Sequence, residues 1–131
     1  MKPQFASLTV EGVLPLTINR LLVTHWAKRR KLAEEFGWLM RAAITKQDIR
    51  RLKAWKDWGY KLKITAHVVT PQMYDSDNLA SIGKWPLDIM RKFEWIENDD
   101  PEHVEFSATQ ERGKLKSITF RIAPIVPEEK P

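Results

Sequence analysis

Apolar and polar residues alternate with a period of two in four stretches of this chain, and recur every three to four residues in two others. Between Phe5 and Glu11, Ala6, Leu8 and Val10 alternate with Ser7 and Thr9, which predicts a half-buried strand, and Gly12 and Pro15 mark the turn after it. Thr24 suits a helix N-cap, and Leu32, Phe36, Leu39, Met40 and Ala43 share one face against Arg30, Lys31, Glu34 and Arg41, which predicts a long amphipathic helix from about His25 to Lys46. Gln47 to Gly59 is charged and tryptophan-rich, with a periodicity too poor to choose between helix and connector. Tyr60 to Thr70 alternates again and predicts a second strand. Leu87 to Trp95 predicts a second helix that is broken or starts late, because Pro86 fits a first turn and costs about 3 kcal/mol in a helix interior. His103 to Thr109 and Leu115 to Ala123 predict two more strands, and the short loop containing Gly113 predicts that these pair antiparallel.

The predicted order is β-α-β-α-β-β. It describes a single α+β domain over residues 1–123 with helices packed on a mixed sheet, followed by a proline-rich tail over residues 124–131. A length of 131 residues suits one core, and 43% hydrophobic with 30% charged residues is the composition of a folded protein. No cysteine is present, which excludes disulfides, thiolate metal sites and a cysteine nucleophile. No secretory signal is evident and no apolar run reaches the roughly 20 residues a membrane span needs, so the expected setting is the cytoplasm without membrane contact.

Charge changes the picture because it is unevenly placed. Arg20 to Lys63 holds 13 Lys or Arg against four acids, whereas Glu94 to Glu111 holds seven acids and no Lys or Arg. A basic surface attracts polyanions by counterion release, and an acidic cluster within it invites a divalent cation that bridges to phosphate.

The candidate chemistry starts at Asp75-Ser76-Asp77-Asn78, directly after the second predicted strand. In an extended backbone Asp75 and Asp77 point to one side with Cα atoms about 7 Å apart, close enough to share a hard cation. Asp99 and Asp100 precede the third strand, where the returning chain is expected to bring a carboxylate to the first pair. Three oxygen ligands suit Mg²⁺, with Mn²⁺ as a substitute, and such a site hydrolyses phosphodiesters. The same Asp-x-Asp-Asn segment is also an ordinary turn sequence. His25, His67 and His103 read as structural or surface residues, and Lys28-Arg29-Arg30-Lys31 reads either as a cluster able to hold phosphates or as a solvated face. The six tryptophans read mostly as core or interface, with Trp55 or Trp58 able to stack on bases.

Taken together, Asp75-x-Asp77-Asn78-Leu79, Lys84 with Asp88 four residues on, and the Asp99-Asp100-Pro101-Glu102-His103-Val104 run resemble the RusA family of Holliday junction resolvases, particularly phage and prophage members. Asn19, Arg20, His25 and Trp26 resemble that family's N-terminal portion, and the likeness covers about residues 14–122. The resemblance implies a RusA-like fold and a Mg²⁺-dependent homodimer that binds four-way DNA junctions and nicks two strands symmetrically, in the host cytoplasm if phage-encoded. It implies that Asp75, Asp77 and one of Asp99 or Asp100 hold the metal as catalytic carboxylates. Lys84 is then the catalytic cation, and Asn19, Arg20, Lys28, Arg29, Arg30 and Lys31 contact DNA. Lys84 follows Asp77 by seven residues, a longer spacing than in the best-known member, and Pro86 lies just beyond it.

Overall fold

Alternation dictates the sheet. In a computed structural model, which describes residues 4–17, 20 and 23–126, the four predicted strands form β1 (Ala6–Glu11), β2 (Lys61–Thr70), β3 (Val104–Arg112) and β4 (Ser117–Ile125). They lie in one mixed sheet in the order β1-β4-β2-β3. The register lines up Leu8, Phe120 and Ala66, and likewise Val10, Ile118 and Val68, so the apolar positions of three strands share one face. Phe36, Met40, Leu52, Ile82 and Met90 from the helical segments join these residues in one core. The other face carries Ser7, Thr9, Thr65, His67, Ser107, Thr109, Thr119 and Arg121, and a row of hydroxyl and imidazole hydrogen bonds crosses it, including Thr9 to Thr119 at 2.9 Å and His67 to Thr109 at 2.7 Å. His67 also reaches Glu111 at 2.8 Å, a surface role.

The predicted antiparallel pair of β3 with β4 does not form. β2 lies between them, parallel to β3 and antiparallel to β4. The short loop that reads as a hairpin instead carries the chain over the end of β2. There the Gly113 N–H donates to the Thr70 carbonyl at 3.0 Å, and a Cβ on Gly113 would stand 2.5 Å from a Val69 methyl carbon. A glycine at this point marks close passage over a neighbouring strand.

Two helices replace the single one expected after β1. Helix α1 (Trp26–Ala43) buries Phe36, Gly37 and Met40, and α2 (Lys46–Asp57) buries Asp48, Leu52 and Trp55. The element order is therefore β-α-α-β-α-β-β. His25, not Thr24, caps α1, its Nδ1 accepting from the Ala27 N–H at 3.2 Å, while Thr24 bonds back to the Arg20 carbonyl. Thr45 caps α2 by accepting from the Asp48 N–H at 3.1 Å. Asp48 itself accepts from the Ser7 N–H at 3.2 Å and from Arg51 at 2.6 Å, so a nearly buried carboxylate pins α2 to β1.

Between β2 and β3 the chain forms α3 (Ser76–Ala80), one 3₁₀ turn (Ser81–Gly83) and α4 (Lys84–Lys92). The helix is broken, as Pro86 requires, but it begins eleven residues earlier than Leu87. Pro86 falls in the first turn of α4, where the N–H that proline lacks is not needed. Pro124 and Ile125, assigned above to the tail, belong to β4, and residues 127–131 lie outside the described ones. No helix among the described residues is long and apolar enough to cross a membrane.

Candidate functional site

Asp75 ends the extended run after β2 and serves as the N-cap of α3. Its Oδ1 accepts from the Asn78 N–H at 2.8 Å, and its Oδ2 from the Asn78 side-chain amide at 3.2 Å. Asp77 lies in the first helical turn, so the two aspartates do not alternate along a strand as the sequence suggests. They are grouped instead at the positive end of a short helix, where negative charge is favoured. The segment is held by Tyr74 and Gln110, whose backbone and side-chain amide exchange two hydrogen bonds of 2.9 Å. Burial raises the Tyr74 phenol above its ordinary value, which keeps it neutral.

Asp75 faces a cleft of about 680 Å³ that runs between the loop after β1 and the end of β2. Asn78, Thr17, Tyr74, Arg20 and Lys116 also line it, so two cations share the cleft with the carboxylate. Arg20, expected to contact DNA, lines this cleft, while Asn19 lies outside the described residues. Lys116 was missed by sequence reading; its only signal is a position in the loop that crosses the end of β2.

Lys84 is exposed and opens α4. Three residues of α-helix and the three of the 3₁₀ turn separate it from Asp77. Asp88 does not pair with Lys84. It binds Arg91 at 2.7 Å and Lys92 at 3.1 Å. Burial raises its pKa, but the hydrogen bonds and charges of those two cations outweigh this and leave it below the ordinary value.

The second acidic group is elsewhere. Asp100 closes a tight turn just before β3, its Oδ1 accepting from the N–H groups of Glu102 and His103 at 3.1 Å and contacting His103 Nδ1 at 2.6 Å. The hydrogen bond with His103 is the main reason the Asp100 carboxyl lies below, and the imidazole above, its ordinary value. Asp99 is exposed, near enough to Arg91 to help raise its pKa. Because β2 and β3 run parallel, this group stands at the start of β3, while Tyr74 and Asp75 are anchored at Gln110 near its end. The stretch from Val104 to Gln110 separates them by about 20 Å. Within one chain Asp75 and Asp77 do not meet Asp99 or Asp100, contrary to the expectation, and no three Asp, Glu or His among the described residues are grouped to hold a metal. Of the predicted ligands, Asp75 and Asp77 are grouped within one chain, and a hard cation held there would complete its shell with water and phosphate oxygens.

Lys28, Arg29, Arg30 and Lys31 occupy the first turns of α1, where Arg30 pairs with Glu34 at 3.5 Å and Arg29 lines a groove toward α4. His25 is an exposed cap stacked on Trp26, and Trp55 is core, so of the two tryptophans singled out only Trp58 is exposed.

No protein-family model matches this chain, and no curated protein matches it.

Proposed function

We propose that the chain is a RusA-like, Mg²⁺-dependent endonuclease of branched DNA whose metal site closes only between two protomers. The observation that carries this reading is Asp75 at the head of α3, with Asp77 two residues on in its first turn, lining a cleft that Arg20 and Lys116 also line. Carboxylates for a hard cation beside cations for phosphate are what phosphodiester hydrolysis requires.

The missing third carboxylate has a geometric source. β3 is an edge strand without a strand partner on its outer side among the described residues. Antiparallel pairing of two β3 edges about a twofold axis sets the Val104 end of one beside the Arg112 end of the other. Asp99 and Asp100 of each protomer then approach Asp75 and Asp77 of its partner. These carboxylates would hold the Mg²⁺, whose contribution would be to lower the pKa of a bound water and to offset charge on the phosphate. The chain's own groups do the rest: Arg20 and Lys116 seat the phosphate, Lys84 offers a further cation at the start of α4, and Asp75 is oriented by Asn78. Two equivalent sites on one twofold suit the paired, symmetric nicks of a four-way junction.

The test uses a synthetic four-way junction with Mg²⁺. Wild type nicks it in preference to a linear duplex of the same sequence, and Asp77→Asn abolishes nicking while retaining or tightening binding, because a charge that repels phosphate is gone. Mixing decides the composite site. Asp75→Asn/Asp77→Asn and Asp99→Asn/Asp100→Asn chains are each inactive, yet their mixed dimers keep one complete site. A one-to-one mixture therefore recovers about a quarter of wild-type sites and cuts one strand per junction. No recovery excludes closure between protomers.

A second reading is favoured by the separation of the carboxylates within one chain. It makes the protein a non-catalytic, basic DNA-binding protein with an inert acidic turn, and failure of wild type to cut any DNA or RNA in Mg²⁺ or Mn²⁺ establishes it. Cutting of flaps or RNA in place of the four-way junction keeps the metal chemistry and changes the substrate.

A further inference from the structure

Positive charge and exposed indole rings coincide on the helical layer. Helices α1, α2 and α4 carry 13 Lys or Arg against five Asp or Glu, an excess of eight on a chain whose total is +5. Between α1 and α4 runs a groove of about 530 Å³ walled by Trp26, Trp38, Trp85 and Phe93, with Arg29 at its side. Trp26 and Trp38 are 63% and 70% exposed, far more than packing within this chain explains. The groove continues past Lys92 and Phe93 into a second hollow of about 510 Å³, where Arg41, Lys53 and Lys56 stand and the Arg41 guanidinium lies 5.6 Å from the Phe93 ring centre. Six cations and four acids line the two hollows, and three of the acids are engaged by cations of their own helices: Glu34 by Arg30, Asp88 by Arg91 and Lys92, Asp57 by Lys53. Neither hollow shares a residue with the cleft that holds Asp75.

We infer that this track binds a single-stranded nucleic acid, its unstacked bases lying on Trp26 and Trp38 and its phosphates following the cations toward Lys53 and Lys56. Alternating flat rings and positive charge is the chemistry of sequence-tolerant single-strand binding, since every base has a π face and every nucleotide a phosphate. Trp26 and Trp38 are about 18 Å apart along the helix axis, so they would hold different bases of one strand. The site shares with the nuclease reading only its polyanionic partner. It needs no metal and no carboxylate.

The experiment is fluorescence anisotropy of labelled dT12 with the full chain in EDTA, so that neither cleavage nor its absence affects the result. Wild type binds dT12, and Trp38→Ala or Trp26→Ala weakens binding about tenfold with the salt dependence unchanged. Trp38→Tyr, which keeps a stacking ring, recovers most of the loss. Arg29→Ala and Lys56→Ala instead lower the slope of log K against log salt by about 0.7 each. Wild-type affinity in both tryptophan variants overturns the inference, as does failure of wild type to bind dT12. If the tryptophan variants bind normally but sediment as smaller species, a second copy of the chain occupies the groove and the inference is likewise overturned.

Discussion

Asp100 and His103 show what a single contact does at the start of β3. Their 2.6 Å hydrogen bond lowers the carboxyl and raises the imidazole. The raised imidazole contributes stability that is complete below its ordinary pKa of 6.5 and is lost as pH rises through the higher folded value. The lowered carboxyl contributes stability present above its ordinary 3.8 and lost as pH falls through the lower folded value. The pair therefore holds the turn best from about pH 4 to 6.5. An NMR titration of metal-free protein should place the His103 midpoint above 6.5, and Asp100→Asn should bring it back down. An unchanged midpoint in the variant removes Asp100 as the cause. Asp48 acts at the same scale inside the fold. Asp48→Ala strands the Ser7 N–H and the Arg51 guanidinium, and should cost about 2–4 kcal/mol in urea unfolding at pH 7.

Elements were legible in the sequence wherever burial followed a simple period. All four strands were readable to within a few residues, because one face of the sheet is covered and the other is not. Helix α2 was not, since its buried face includes Asp48, and a carboxylate at a core position destroys the apolar pattern. The legible signal was Thr45 followed three residues later by Asp48, a capping pair at the helix start. The break after α3 is a case where propensity misleads. Gly83 has helical angles, so replacing it with alanine ordinarily favours a helix by about 1 kcal/mol. Here a Cβ would lie 2.3 Å from Phe106 Cζ on β3, against a ring rather than a flexible chain end. Gly83→Ala should therefore destabilise by roughly 1–3 kcal/mol in thermal or urea unfolding. Phe106→Leu, which vacates the ring position, should make that cost smaller in the double variant.

At the scale of the molecule, where Asp75, Asp77, Asp99 and Asp100 lie along the chain was legible; whether they meet was not. An end of β2 and a start of β3 share one end of a sheet only if the strands are antiparallel, and alternation does not encode direction. The helical segment between them was the available clue, because a strand-helix-strand unit returns the chain to its starting end and makes the pair parallel. If the carboxylates come together only across a twofold, metal binding and dimerisation are one linked equilibrium. Sedimentation at fixed protein concentration should then show Mg²⁺ shifting monomer toward dimer, and the apparent Mg²⁺ affinity should rise with protein concentration. Asp77→Asn should lose the shift while retaining its metal-free association, because β3 edge pairing does not involve that side chain. Calcium should reproduce the shift if hard oxygen ligation suffices. A dimer constant indifferent to Mg²⁺ in the wild type contradicts closure between protomers, even if the protein cuts DNA, and directs the search for ligands back to a single chain.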